Sequence, residues 1–324
     1  MFRFPALHLL PLTALLFACE ADDAIDVAPV DPSSPAVPVD RSYLEAANAS
    51  LAVATVPCTL SDGTAADCYQ IVTSGVPTDH QLGPWCPDNI ADDASAGGIW
   101  LENGQVHDVD GAFLANMATF YDDDTWLMYD AAGDVYVTAT EEDCANAANP
   151  NVGAEYANFC VECLPSYVTG VSQTYLIPIT PVPQASATSF AMGPGGGSAP
   201  SARGIALNGV EFSAPAPVNA ILAAYTLAPF DDAGGHINVH QGYHYHAATG
   251  RSYAVAQTDG HAPLIGYAMD GYGIYAHEDD DGDVSTDLDA CLGHSDDVRG
   301  YHYHADAPGA NNFINCLQGA YVPG

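Results

Sequence analysis

Gly242-Tyr243-His244-Tyr245-His246 and Gly300-Tyr301-His302-Tyr303-His304 are one five-residue phrase written twice, and they set how the second half of the chain is built. The likeness runs outward from both copies. Asp231-Asp-Ala-Gly-Gly-His236 leads into the first and Asp289-Ala-Cys-Leu-Gly-His294 into the second, aligned without a gap through Ala247 and Ala305. Further upstream, Gly204-Ile-Ala-Leu-Asn208-Gly209 answers Gly266-Tyr-Ala-Met-Asp270-Gly271. The chain thus holds two related units, about 204–247 and 266–305, which are expected to pack as a pseudo-symmetric pair.

Side chains of a β-strand alternate between its faces, so His244 and His246 share one face while Tyr243 and Tyr245 share the other; His302 and His304 repeat the pattern. The expected fold is mainly β with short helices, and with a duplicated pseudo-symmetric β unit in the C-terminal half. Nine of the twelve histidines fall between 236 and 304. Imidazole suits copper and zinc, and three or four histidines would leave a tetrahedral site open or close it. The candidate ligands are His236, His244, His246, His294, His302 and His304, with the pairs from the two copies meeting around one centre. His261, Asp270, Tyr243 and Tyr301 are expected beside them, as supports or additional ligands; Asp231, Asp289 and Asn208 are further candidates for orienting the rings. Histidines that merely pin the repeat interface are the bland alternative.

A second ion candidate is the acidic run from His277 to Asp289, where Asp279, Asp281 and Asp283 alternate around Gly282 as in a calcium loop. With Gly282 at the sixth position, His277 and Leu288 stand where carboxylates belong, so a solvated acidic loop is the plainer reading.

The rest of the chain bounds the setting. Residues 1–18 have the charge and apolar run of a signal peptide, too short to span a bilayer. Leu16-Phe17-Ala18-Cys19 resembles a lipobox, which makes Cys19 the expected site of lipidation and places the protein outside the cytoplasm, lipid-anchored to a bacterial membrane. Residues 19–42, rich in Asp, Ala and Pro, read as a disordered acidic tether. Residues 43–190 read as a β-rich, disulfide-bearing region and 191–324 as the duplicated module, joined through a Gly/Pro/Ser-rich loop. Asn103-Gly104 marks a hairpin, Thr125–Tyr129 with Val135–Thr138 a second one, and 112–121 a helix. The eight cysteines besides Cys19 suit an oxidising compartment; Cys58 with Cys68 and Cys291 with Cys316 are the expected local pairs. Cys160-Val-Glu-Cys163 has redox spacing but acidic surroundings that raise a thiol pKa.

There is no lysine, and five arginines face 41 acidic residues for a net charge of −36. Nucleic acid, whose binding rests on cations neutralising phosphates, is not an expected partner; the membrane, through the lipid, and a metal ion are. A small-molecule or protein partner is not specified by the sequence.

The two Gly-Tyr-His-Tyr-His phrases resemble the signature of the YHYH-domain family. Asp259 to Gly271, Leu288 to His294 with the late Cys316, and Thr73 to His80 resemble its remaining pattern, over about 70–320. The resemblance implies the fold unit and no particular activity. Ala233 stands where the second copy has Cys291, so the first unit is expected to lack that disulfide. Two rivals to simple metal binding stay open. One is a metal-dependent enzyme, signalled by three ligands beside a concave pocket. The other is a cell-surface binding protein with scattered histidines and an aromatic platform from Trp85, Trp100 and Trp126.

Overall fold

The duplication is realised as a single eight-stranded sheet. The computed structural model describes residues 27–31, 34–148, 151–190 and 200–323. In chain order the strands are β1 (Ala52–Thr59), β2 (Ala65–Ser74), β3 (Ile99–Glu102), β4 (Gln105–Asp108), β5 (Ser172–Pro178), β6 (Pro183–Ser189), β7 (Gly204–Ala206) and β8 (Glu211–Phe212). There follow β9 (Gly235–Asn238), β10 (Gly242–Tyr245), β11 (Leu264–Ala268), β12 (Gly273–Tyr275), β13 (Gly293–Asp296), β14 (Gly300–His304) and β15 (Cys316–Gly319). The helices are short, so the fold is mainly β as expected.

The large sheet runs β13-β14-β12-β11-β7-β8-β10-β9. Each unit contributes four strands in the same arrangement: an antiparallel pair (β7-β8, β11-β12), then a hairpin (β9-β10, β13-β14) whose second strand lies parallel to the unit's second strand. The units meet where β7 pairs antiparallel with β11, Ile205 opposite Tyr267, with Gly204 on Ala268 and Ala206 on Gly266. That pairing is a local two-fold, and it puts the units side by side. The two Tyr-His-Tyr-His strands therefore lie toward opposite edges of the sheet, five strand spacings or roughly 24 Å apart.

Each of these strands starts at a glycine with positive φ, +86° at Gly242 and +61° at Gly300. A side chain there would be strained and would strike backbone, that of Gly75 in the first unit and that of Pro35 in the second. The first contact fixes the strand to the N-terminal region through the Tyr243 N–H, which donates to the Gly75 carbonyl at 2.7 Å. The second overturns part of the tether. Ala36 bridges to Gly300 as an added antiparallel partner, Val27, Val30 and Val39 are buried, and Gln318 donates to the Ala28 carbonyl. Proline-rich backbone cannot continue a helix, yet it extends readily beside the start of β14, and the interspersed valines supply the apolar contact.

Upstream of the module, β1-β2-β5 form a three-stranded antiparallel sheet and β6 pairs with β15. The Asn103-Gly104 turn closes β3-β4 as expected, both residues at positive φ. Across the turn of 125–138 only Tyr129 and Val135 bridge, while Asp134 and Val137 bridge to Asn89 and Cys160, and 112–121 is split into Gly111–Ala115 and Met117–Phe120, where Asn116 bonds back to Ala112. Disulfides join Cys58 to Cys68 and Cys291 to Cys316, as expected, and also Cys86 to Cys160 and Cys144 to Cys163. Cys160 and Cys163 each close a different loop, so despite their redox spacing they are not each other's partner. One continuous apolar core runs through both halves, from Trp100 and Leu114 to Tyr245, Phe212 and Phe313. The signal-peptide residues, Cys19 and most of the Gly/Pro/Ser-rich loop lie outside the described residues.

Candidate metal centres

Asp231 and Asp289 set up the histidine sites from the turn side. Asp289 accepts the N–H groups of Cys291 and Gly293 at 2.8 and 3.0 Å, and Asp231 accepts those of Ala233 and Gly235 at 3.1 and 3.2 Å. These local bonds shape the turn that delivers His236 and His294 into β9 and β13. In register, His236 then faces His244 across the hairpin and His294 faces His302. Directly opposite residues share a face of the sheet, and His246 and His304 stand two residues on. Three imidazoles thus meet within each unit.

The expectation of one shared centre is corrected: two groups form, His236-His244-His246 and His261-His294-His302-His304, the donor atoms of each lying within 4.8 Å of one another. Strand order is the reason, since the β7-β11 junction sends the histidine strands apart. His261, expected only as a support, belongs to the second group. It arrives on the loop before β11, which Arg299 pins through Asp259 and which Asp279 holds by accepting the Ala262 N–H.

The second centre is sharply defined. Nε2 of His302 lies 3.0 Å from that of His261 and 2.9 Å from that of His294, and His304 Nε2 is 3.1 Å from His294 Nε2. Every Nδ1 is engaged by an acceptor: the carbonyls of Ala262, Gly300 and Ala276 for His261, His302 and His304, and the Asp287 carboxylate for His294. Nδ1 therefore carries the proton, and four Nε2 lone pairs point at a common space. Zinc–imidazole bonds of about 2.0–2.1 Å imply a tetrahedral N···N edge of roughly 3.3 Å, close to these spacings.

At the first centre the ring centroids form a near-equilateral triangle, 4.8, 4.9 and 4.9 Å on its sides. Gly242 and Ala214 carbonyls take the Nδ1 protons of His244 and His246 at 3.0 and 2.8 Å, the same bonds as in the second unit. The carbonyls of Ala228 and Pro229 hold His236. Burial keeps these imidazoles neutral. It lowers His302 to about 3 and His304 and His244 to about 4, and drives His236 and His246 well below the ordinary value, with neighbouring imidazoles adding to the shift at all of them but His244. A neutral ring is the form that ligates a metal.

The tyrosines and most of the supporting acids work on the opposite face. Tyr243 donates to Asp231 and Tyr301 to Asp289, while Tyr303 donates to Asp270 and Tyr245 accepts from Asn208. Asp270, Tyr243 and Tyr301 thus brace the sheet; backbone carbonyls and Asp287, not Asp231, Asp289, Asn208 or Asp270, orient the rings. Asp287, one of many aspartates in this run, stands seven residues before His294, and nothing in its spacing sets it apart. The stretch 73–80 joins the bracing network: Asp79 accepts from Asn208, and His80 packs on Tyr243 and Tyr245. Among the described residues, Asp279, Asp281 and Asp283 do not gather into a metal-binding group; they line an open depression beside His261 and Arg299. Trp85, Trp100 and Trp126 are buried, which removes the aromatic platform.

A β module with mirrored His-x-His strands, each closing on its own histidine group, is the class of protein this fold defines. The family model described as YHYH protein matches residues 174–287, and the chain carries this domain there. The match takes in the first signature and the run toward the second, a narrower span than the sequence resemblance. No curated protein and no solved structure shows a significant match.

Proposed function

We propose that this protein binds transition-metal ions, copper or zinc, at two centres, one in each unit. The observation that carries the reading is the second centre, where four buried or half-buried imidazoles turn unprotonated Nε2 atoms toward one point. Facing lone pairs repel, and a divalent cation among them satisfies all four at once. A pin for the repeat interface would instead pair each nitrogen with an opposite partner. Protein purified, chelated and reloaded with zinc at neutral pH is expected to retain two metal ions per chain by elemental analysis. Retention near zero would end the proposal.

The same reading covers the setting. Four disulfides suit an oxidising space outside the cytoplasm, and among the described residues no helix is long and apolar enough to cross a membrane. We assign membrane attachment to a lipid on Cys19. Cys19→Ala is expected to move the protein from the membrane to the soluble exported fraction, with the acyl mass missing from its N-terminal peptide. A wild-type N-terminal peptide without acyl groups would refute the anchor and leave the metal reading untouched.

A further inference from the structure

The two centres differ in one ligand. On the alignment that places Gly204 with Gly266, His261 falls on Ala199, so the first unit lacks the residue that supplies the fourth imidazole. Among the described residues the first group has three members, the second four. What adjoins the first is an apolar cavity of about 260 Å³, walled by Trp85, Val161, Ile221, Ala228 and Ile237 together with all three histidines. A more open polar cleft touches only His244 and His246. The Nδ1 side of His246 faces that cleft, bonded to Ala214 on its wall, which turns Nε2 away from it. The cleft's acid, Glu211, is occupied by Tyr175, Ser213 and Gln241.

We propose that the first centre is an open one: a metal held by His236, His244 and His246 presents its free position to the apolar cavity and takes a neutral molecule made of an apolar ring and a nitrogen or oxygen donor group. This rests on the metal-binding reading above. Three protein ligands with a vacant position mark reactive and ligand-exchanging sites, and four mark closed ones. The size fits, since an apolar cavity of about 150 Å³ already holds benzene, leaving room here for a ring and its donor group. The surrounding walls favour ligands that bury apolar surface. The duplicated sheet therefore carries one closed centre and one that admits a guest.

The test uses the full chain loaded with cobalt(II), whose visible absorption reports coordination, and three probes: azide, imidazole and 4-phenylimidazole. Two cobalt ions are expected, with about half of the absorption shifting on addition of a probe and 4-phenylimidazole binding at least tenfold more tightly than imidazole. Ile221→Trp, at a half-exposed cavity wall, is expected to abolish that preference while keeping the azide shift. His236→Ala is expected to remove the responsive cobalt, and His294→Ala to weaken binding of the silent one without touching the responsive one. Should either variant fail to fold, the responding fraction in the wild type and the Ile221→Trp result still decide. Two bound ions with no response, equal response from both, or no preference for the phenyl probe would overturn the open centre and leave metal binding standing. No bound cobalt would overturn metal binding itself.

Discussion

Replacing His302 by alanine is expected to weaken metal binding at the second centre more than a hundredfold and to cut the metal-induced rise in Tm. His302 is the hub of the closed centre, its Nε2 within 3.0 Å of those of both His261 and His294. A structural four-ligand zinc site is worth about 10–16 kcal/mol, so one ligand is worth about 3 kcal/mol, a loss of more than a hundredfold in affinity. The chelated variant should be nearly as stable as the chelated wild type, because truncation opens a small void but also removes a crowded lone pair. That separates a ligand from a packing residue, which would cost stability with or without metal. The first centre, five strands away, should be unaffected, as independent sites at that distance are additive. Substituting the exposed His240 is the control. A full metal-dependent Tm rise in His302→Ala would show that the chosen hub is wrong.

Acid is expected to undo the metal-free protein early. The folded pKa values of about 3 for His302 and about 4 for His304 and His244 lie below the ordinary 6.5. As pH falls below 6.5 the unfolded chain takes up protons that the fold refuses, so stability is complete above 6.5 and drains away as pH drops toward 4. At pH 5 each such group costs about 2 kcal/mol. One proton can be shared between facing Nε2 atoms, so two groups are the safer count, about 4 kcal/mol and roughly 5–10 °C in Tm. The net charge of −36 pulls the other way, since protonating carboxylates relieves repulsion. The measurement is therefore a difference: between pH 7 and 5, the chelated wild type should lose that much more Tm than a chelated His244→Ala/His302→Ala double variant. Equal losses would show that these imidazoles titrate normally in the fold.

The parts of this design that were legible in the sequence are those encoded by short-range repetition. Identical phrases gave the duplication, alternation placed His244 with His246 and Tyr243 with Tyr245, and the common interval to His236 and His294 gave the third ligand of each set. Whether the sets meet depends on which strands pair at the junction. That was decided by β7 against β11, through contacts such as Ile205 on Tyr267 that no spacing announces. His261 joins its group from 33 residues before His294 on a loop held by Arg299 and Asp279, and such reach is invisible to periodicity. The tether failed for a different reason: its composition is that of a solvated chain, and three valines suffice to lay it beside the start of β14.

That docked N-terminal segment changes how far the protein can stand from a bilayer. A free tether of the full 19–42 stretch would have let the body roam; with the chain packed from Val27 onward, only about eight peptide steps separate it from Cys19, a leash of at most ~28 Å. Anchored as proposed, the protein is moored close to the lipid headgroups, and the mooring line leaves along the flank of the second unit, where Ala36 lies against Gly300. Its strongly anionic body is then presented to a membrane surface at short range, so that lipid charge and divalent ions in that thin layer of water govern which way the sheet faces.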